Sequence, residues 1–158
     1  MNKRISYLTK AAVIAAIYVV LTFVSAIFGL SNGVIQVRIS EALTVLPYFL
    51  PEATAGLFIG CIIANTLTGC ALWDVIFGSI ATLIGAWCTS KLKNRWLLPL
   101  PPVISNAIIV PFVLQYVYGA TESWLFITAT VAAGEIISCG ILGQILYSLI
   151  DKNKIFKR

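Results

Sequence analysis

The sequence predicts an all-α membrane protein with six transmembrane helices. Only 11% of its 158 residues are charged, against about 25% in an average soluble domain, and 59% are hydrophobic. The apolar residues form long runs between short polar or proline-containing breaks, and the mean hydropathy is +0.96. This composition excludes an ordinary soluble domain, a disordered chain and a disulfide-stapled secreted module. Because the chain has no His, His-based catalytic triads and His-ligated metal sites are excluded as well.

The basic residues predict the topology. Ten of the eleven fall in three short clusters, which are Lys3, Arg4 and Lys10, then Lys91, Lys93 and Arg95, and finally Lys152, Lys154, Lys157 and Arg158. Short loops rich in Lys and Arg stay on the cytoplasmic side of a membrane. We therefore expect both termini in the cytoplasm and an even number of spans between clusters. The net charge of +5 indicates topology, and we do not interpret it as a nucleic-acid-binding surface.

The chain is expected to be a single integral membrane domain, 1–158. Its predicted spans lie near 11–28, 40–50, 53–69, 73–90, 102–118 and 124–150, and the break after the first is placed at 29–33. The first run lacks a small-residue cleavage site and is expected to be a retained span. The second is short and contains Pro47, which predicts a bent or partial span. Irregular backbone is tolerated at membrane depth only where it lines a cavity or is buried in protein.

Small residues predict where helices approach each other closely. In the third span they recur at every fourth position, at Gly56, Gly60, Ala64 and Thr68. This ridge favours packing inside the bundle. The first span carries two overlapping pairs, Ala11 with Ala15 and Ala12 with Ala16. For these alanines, internal packing and a surface for a partner protein are both open. The four cysteines lie in apolar runs without metal-like spacing, so we expect buried thiols and no metal site.

Five charged residues outside the basic clusters belong to the membrane-associated part, and one of them, Glu52, is expected to cap the third helix. The other four are candidates for function. Arg38, Glu41 and Asp74 lie at the outer ends of their spans, and Glu135 lies near the middle of the last one. A charge at mid-membrane costs about 2.5–3.5 kcal/mol on insertion scales, so it is usually functional or paired. Arg38 and Asp74 can also be explained as residues of interfacial loops. Loop exposure does not explain Glu135.

The polar residues predict a binding pocket that opens to the outside and is sealed below. The candidate substrate-binding residues are Arg38, Glu41, Asn65, Trp73, Asp74, Gln115, Tyr116, Trp124 and Glu135. No polar path crosses the whole membrane, as a channel would require. Carboxylates accept N–H donors and aromatic rings stack on planar ligands, and the excess of acids favours a cation. The aromatic residues also fit an ordinary interfacial belt. Asn106 lies opposite Gln115 on the fifth span and is expected to pack between helices.

Two stretches of this sequence resemble the queuosine-precursor transporter (QueT) family. One runs from Val37 to Thr44 with Arg-Ile-Ser-Glu-Ala-Leu at its centre, followed by Pro47 and by 56–65. The other is Leu-Trp-Asp-Val-Ile-Phe-Gly-Ser at 72–79. The resemblance covers nearly the whole chain, including its length and its basic ends. Members of this family are the substrate-binding S-components of energy-coupling-factor (ECF) importers.

The resemblance implies a multi-pass protein of the cell membrane with a pocket near the outer face. The implied substrate is a 7-deazaguanine, either queuine or its precursor 7-aminomethyl-7-deazaguanine. We expect Glu41 and Glu135 to bind the guanine-like edge, and Asn65, Asp74 and Gln115 to complete the pocket. The implied partner is an ECF T-component with two ATPase subunits, contacted through Ala11, Ala12, Ala15 and Ala16. The chain has no phosphate-binding loop, so it is not expected to hydrolyse ATP.

Two alternatives remain open at this point. One is a proton-coupled carrier that works alone and uses Glu135 as its proton relay. The other is an intramembrane enzyme in which Glu41, Asp74 and Glu135 act as acid–base or metal-binding groups. The sequence has no Glu-x-x-x-Asp pair to support such chemistry. We therefore expect no catalytic residues and no cofactor.

Overall fold

The computed structural model describes residues 3–30 and 35–156. The described residues are arranged as helices without a strand, so the all-α fold class predicted from the sequence is confirmed. The α-helices are α1 (Lys3–Ile27), α2 (Glu52–Leu67), α3 (Leu72–Lys91), α4 (Leu100–Tyr116) and α5 (Trp124–Lys152). A 3-10 helix, Ile39–Tyr48, lies between α1 and α2, and a single 3-10 turn, Arg95–Leu97, precedes α4. Five α-helices and the long 3-10 helix thus form a six-helix bundle.

Four of these helices are long and apolar enough to cross a bilayer. They are α1, α3, α5 and α4 with its preceding turn, with 25, 20, 29 and 22 residues respectively. A bilayer core of about 30 Å requires about 20 residues of α-helix. Helix α2 is also apolar but has 16 residues. The chain is therefore a multi-pass membrane protein.

The second predicted span is the 3-10 helix Ile39–Tyr48, which contains Pro47. At about 2.0 Å per residue, its ten residues extend over about 20 Å. Eight of the ten are buried, because α1, α2, α3 and α5 surround the segment. The surrounding protein explains how such an unusually long 3-10 stretch is accommodated at membrane depth. Some residues used in the sequence predictions lie outside the described ranges. They are Ser31, Asn32 and Gly33 of the predicted break before this helix, and Lys157 and Arg158 of the last basic cluster.

Basic residues from several helices meet at one end of the bundle. Lys10 of α1 pairs with Glu52 at the start of α2, with 3.1 Å between Nζ and Oε1. Phe49, just before α2, packs on Tyr147 of α5 with ring centroids 5.2 Å apart. The Arg95 guanidinium lies 5.5 Å from the same Tyr147 ring. We call this the basic end, and we call the opposite end, where Phe112 of α4 packs on Trp124 of α5, the aromatic end.

Helices α1 and α2 are in close backbone contact through small residues. A Cβ on Gly56 would lie 2.6 Å from the Ala11 carbonyl oxygen, and a Cβ on Gly60 would lie 3.0 Å from Ala15 Cα. Ala11 and Ala15 are consequently buried, and this half of the α1 alanine face packs inside the bundle. The alanines of the same set that remain exposed are Ala12 and Ala16.

Candidate functional site

An extended strap, residues 35–38, leads across α5 into the 3-10 helix. The Arg38 backbone N–H donates to Ser138 Oγ of α5 at 3.2 Å. The Ile39 N–H donates to Ser25 Oγ of α1 at 2.8 Å. Two side-chain hydroxyls from two helices therefore hold the strap at the point where the 3-10 helix begins. This fixes the positions from which Arg38 and Glu41 project.

The strap depends on a glycine of α5. A Cβ built on Gly134 would lie 2.0 Å from the Gln36 carbonyl oxygen and 3.0 Å from its carbonyl carbon. Real Cβ atoms do not approach backbone atoms so closely, so only glycine lets the strap lie directly on α5 at this point. Gly134 immediately precedes Glu135 in the chain, and the close contact thus brings the strap beside that carboxylate.

Beneath the strap lies an inner cavity of about 50 Å³. Its lining combines charged, amide, hydroxyl and aliphatic side chains from the strap, the 3-10 helix, α3, α4 and α5. The lining residues are Gln36, Arg38, Glu41, Asp74, Gly78, Thr82, Asn106, Val110, Leu114, Val131 and Glu135. The volume corresponds to a few water molecules. A bicyclic ligand would therefore need the space above it as well.

That space is an outer chamber of about 440 Å³, on the side of the aromatic end. Its lining residues are Thr22, Ala26, Gln36, Arg38, Asn65, Thr68, Cys70, Asp74, Leu114 and Tyr118. Gln36, Arg38, Asp74 and Leu114 line both spaces. The two therefore adjoin each other, with one guanidinium and one carboxylate at the boundary between them.

Glu41 is a buried carboxylate with one unused oxygen. Its side chain is 2% exposed, and its Oε1 accepts a hydrogen bond from the Tyr18 hydroxyl of α1. Its Oε2 is buried and has no hydrogen-bond partner among the described residues. Leaving such an acceptor unpaired costs about 1–3 kcal/mol, and more for a charged group. An unpaired acceptor on a residue that lines a cavity favours a hydrogen-bond donor from a ligand at this position.

Glu135 stands at the start of a π-helical stretch of α5, Ile136–Leu142. Such wider turns occur frequently at functional sites. The Cys139 thiol one turn further on donates to Glu135 Oε2 at 3.1 Å and also lies 3.5 Å from the Glu41 carbonyl oxygen. The α5 wall is thereby tied to the 3-10 helix, and Glu135 and Glu41 face the same space.

Glu41, Glu135 and Cys139 are the described residues that could together hold a metal ion. One ligand atom from each lies within 4.8 Å of the others. Three protein donors are one fewer than a closed tetrahedral zinc site requires. The thiol is already hydrogen-bonded to Glu135. This arrangement suits an organic cation or an N–H donor better than a tightly held metal.

Two nitrogen donors complement these acceptors. Arg38 Nη1 donates to Asn65 Oδ1 of α2 at 3.3 Å, and no carboxylate lies within 4.0 Å of the guanidinium among the described residues. The Asn106 amide nitrogen of α4 is buried beside the Glu135 carboxyl group, although it makes no hydrogen bond of normal geometry in the described part of the chain. The inner cavity therefore presents an amide donor on α4 next to Glu135 and an unpaired acceptor, Glu41 Oε2, on the 3-10 helix.

Asp74 is fixed at the outer boundary by a contact that sequence reasoning missed. The Tyr118 hydroxyl, just beyond α4, donates to Asp74 Oδ2 at 3.0 Å and accepts from the Ala71 N–H at 3.0 Å. The pKa of Tyr118 is raised to about 12, mainly because the phenol is partly buried. The hydrogen bond from Ala71 lowers this pKa, and the nearby Asp74 carboxylate raises it further. The phenol therefore keeps its proton at neutral pH and remains a donor. Tyr118 joins the turn after α4 to the start of α3, at the wall of the outer chamber.

Other predicted site residues lie away from the cavity. Gln115 donates to the Glu122 carbonyl oxygen at 3.2 Å and stabilises the turn between α4 and α5. Trp73 stacks on Phe77 along the outside of α3. The remaining two, Tyr116 and Trp124, pack on Phe112 at the surface. The arrangement of these aromatic side chains is that of an interfacial belt.

The sequence interpretation placed Asn106 between helices, but the structure places it on the cavity wall. Asn106 and Gln115 do lie on different faces of α4, as the spacing requires, and it is Asn106 that faces inward. The sequence does contain one signal for the inward position of Asn106. Asn106, Val110 and Leu114 follow one another at every fourth position and therefore lie on one face of α4. Gln36, Tyr18 and Thr82 were also missed, because a single polar residue near a helix end or in an apolar run has an ordinary structural explanation.

We expect Tyr118→Phe to speed the release of a bound ligand about fivefold, the effect of losing roughly 1 kcal/mol of hydrogen bonding to a carboxylate. The reason is that the turn after α4 loses its bond to Asp74 at the wall of the outer chamber. Stopped-flow displacement of ligand from the purified protein measures the rate. Tyr116→Phe is the matched control, because Tyr116 is 81% exposed. Equal release rates in the two variants would contradict a gating role for Tyr118.

Carboxyl groups outnumber cations at the cavity. Glu41, Asp74 and Glu135 face it together with a single cation, Arg38. A planar ligand that carries N–H donors and a positive group complements this set. Towards the basic end the site is closed by packed side chains, among them Leu43, Leu46 and Leu57. The geometry is that of a pocket with access from one side.

Comparison with known proteins connects this pocket to a family. The family profile described as QueT transporter matches residues 8–152. The queuosine precursor transporter QueT of Lactococcus lactis subsp. cremoris (strain MG1363) is 37% identical over 86 residues. That alignment covers 53% of this chain and 50% of the relative, so the chain spans about half the length of the curated relative it matches. No solved structure matches the chain. Because the profile covers nearly all of the sequence, the chain belongs to the QueT transporter family.

Proposed function

We propose that the chain is the substrate-binding S-component of an ECF importer and captures a 7-deazaguanine from outside the cell. The observation that carries the proposal is the unpaired acceptor Glu41 Oε2 at a buried cavity that the Asn106 amide also lines. A guanine-like ring edge has the complementary groups, N–H donors beside a carbonyl acceptor. The name of the Lactococcus lactis relative, a queuosine precursor transporter, supports the same class of substrate.

Within this class, the charge of the site favours 7-aminomethyl-7-deazaguanine over queuine or guanine. We place the ring at the boundary between the two spaces, with Glu41 and Glu135 accepting from the guanine-like edge. Asp74, at the boundary with the outer chamber, is then available for the ammonium group, while Asn65 holds Arg38 aside. The proposal leaves Gln115 in a supporting role in the turn it stabilises, and it leaves Trp73, Tyr116 and Trp124 at the lipid surface.

The proposal also assigns an orientation. Lys10, Lys91, Arg95 and Lys152 lie towards the basic end, and the pocket opens towards the aromatic end. Because short basic segments remain in the cytoplasm, we place the basic end and both termini inside the cell. The pocket then faces outward, which is the arrangement that capture from outside requires.

Import in this proposal depends on an ECF T-component with two ATPase subunits. We expect uptake of labelled 7-aminomethyl-7-deazaguanine by cells that express this chain together with the ECF module, and little uptake by cells that express the chain alone. A catalytically inactive ATPase variant should abolish the uptake. Equal uptake with and without the module would overturn this part of the proposal and favour a carrier that works alone, with Glu135 as its relay.

The partner surface is assigned to the alanines of α1 that the bundle leaves exposed, Ala12 and Ala16. We expect the double substitution Ala12→Leu and Ala16→Leu to lower co-purification of the T-component at least fivefold, because larger side chains prevent close helix approach. Ligand binding by the isolated chain should be unchanged. Ala129→Leu, an exposed alanine of α5, is the control. Full co-purification of the double variant would place the partner elsewhere.

A further inference from the structure

A groove on the outside of the bundle runs along the contact between α3 and α4 in the half nearest the basic end. It has a volume of about 510 Å³ and is lined almost entirely by aliphatic side chains, such as Ile84, Leu97, Ile104 and Ile108. From Leu100 to Ile108, α4 rises about 12 Å at 1.5 Å per residue. One leaflet of the hydrocarbon core measures about 15 Å. The groove thus has the length of a single leaflet and lies on a face that borders lipid.

Three cations stand where this groove reaches the basic end. Lys91 follows Ile84 and Cys88 on one face of α3, and Lys93 and Arg95 lie in the connection to α4. No acidic residue occurs between Asp74 and Glu122. Among the described residues, no carboxylate lies within 4.0 Å of these three cations. Lys10 and Glu52, by contrast, do form an ion pair within this distance. The positive charge at the end of the groove is therefore not neutralised within the described chain.

Two of the cations, Lys91 and Arg95, lie beside aromatic rings of the interface. The Arg95 guanidinium lies 4.4 Å from the Trp96 ring, and Lys91 Nζ lies 5.7 Å from the Trp87 ring. Trp87 and Trp96 are 57% and 66% exposed, as expected of residues at the headgroup level. The Arg95 Nε is buried and has no hydrogen-bond partner in the described residues. The Arg95 carbonyl accepts a 2.6 Å hydrogen bond from Gln144 Nε2 of α5, which fixes its backbone.

We propose that the α3/α4 groove binds one anionic phospholipid, with its phosphate at Lys91, Lys93 and Arg95 and an acyl chain lying in the groove along the outside of the α3/α4 contact. Basic pockets between membrane helices bind acidic headgroups in this manner. Free phosphate would make no use of the apolar groove, and a neutral lipid would leave the three cations unmatched. The inference is independent of the transported substrate, because the groove and the inner cavity share no lining residue.

The test is lipid binding to the purified full chain in a neutral detergent, measured by native mass spectrometry and by the thermal unfolding midpoint. We expect phosphatidylglycerol to bind and to raise the midpoint by mass action, whereas phosphatidylcholine and inorganic phosphate do neither. Equal binding of the two lipids would overturn the headgroup assignment. An equal effect of inorganic phosphate would show a site for free anions and would overturn the proposal of a lipid.

Substitutions locate the two parts of the site. Lys93 is exposed, and the single substitution Lys93→Gln should weaken phosphatidylglycerol binding about threefold. The triple variant should weaken it at least tenfold; it combines Lys91→Gln, Lys93→Gln and Arg95→Gln. Lys152→Gln with Lys154→Gln, two exposed cations elsewhere at the basic end, should leave it unchanged. If the Lys152/Lys154 variant lost as much phosphatidylglycerol binding as the triple variant, the attraction would be non-specific and the proposed site would be wrong.

The groove itself is tested with a pair of matched isoleucines. Ile104 lines the α3/α4 groove and Ile145 lines a different apolar face, and both are 53% exposed. We expect Ile104→Trp to fill the groove and lower phosphatidylglycerol binding at least fivefold, and Ile145→Trp to have no effect. Unchanged binding by the Ile104→Trp variant would overturn the placement of the acyl chain.

Discussion

Replacing Glu41 by Gln is expected to weaken ligand binding at least tenfold, which corresponds to about 1.4 kcal/mol, and Glu135→Gln is expected to do the same. Both substitutions keep the side-chain shape and replace one carboxyl oxygen at the inner cavity by an amide nitrogen that can only donate. In Glu41 the affected group includes Oε2, which has no partner among the described residues. A Gln amide would place N–H donors against the N–H donors of the ligand. Isothermal titration of the purified variants measures the loss.

The control for both carboxylates is Glu122→Gln. Glu122 is an exposed acid in the turn between α4 and α5, and its contact to Gln115 uses the backbone carbonyl oxygen. This variant makes the same change of carboxyl to amide without touching the cavity, so its affinity should match that of the unsubstituted chain. If Glu41→Gln and Glu135→Gln bound as tightly as Glu122→Gln, the placement of the ligand at the inner cavity would be wrong.

The second large effect is expected from Gly134→Ala, a change of one methyl group. The new Cβ would lie 2.0 Å from the Gln36 carbonyl oxygen, so the strap must move off α5. Overpacking of this kind costs about 1–3 kcal/mol of stability. The displacement also moves Arg38 and Glu41, which follow the strap directly. We expect at least a tenfold loss of affinity together with a lower thermal unfolding midpoint.

Gly140→Ala separates the backbone contact from the intrinsic effect of alanine in a helix. Gly140 lies in the same helix, and a Cβ there would meet only Ile136 Cγ2 at 3.6 Å, an ordinary contact. The ligand affinity and unfolding midpoint of the Gly140→Ala variant should be close to those of the unsubstituted chain. Retention of full affinity by the Gly134→Ala variant would contradict the role assigned to the strap.

The fold could be predicted because most of its helices have a recognisable signature in the sequence. Long apolar runs predict helices whatever their neighbours, and Pro47 in a short run predicted the irregular second element. That element is a 3-10 helix buried among four others. The π-helical stretch of α5, which packs against the 3-10 helix, has no such signature in the sequence.

The faces of the helices were harder to predict. Small residues at Ala11 and Ala15 and at Ala12 and Ala16 follow the same spacing, and only the position of α2 decides which pair is buried. Asn106 and Gln115 present the same difficulty on α4, since periodicity separates their faces without saying which one is internal. Glu135 differs because an acid in the middle of an apolar helix requires a polar neighbour wherever the helix packs. The assignment of the binding residues stays a prediction.

The most direct test of the central claim is a calorimetric titration of the purified chain with 7-aminomethyl-7-deazaguanine, queuine and guanine. The inner cavity, with the carboxyl groups of Glu41, Asp74 and Glu135 beside the single cation Arg38, predicts saturable one-to-one binding without turnover of the ligand. It also predicts the highest affinity for the aminomethyl compound, because that ligand is cationic. Absence of binding to all three compounds would contradict the account.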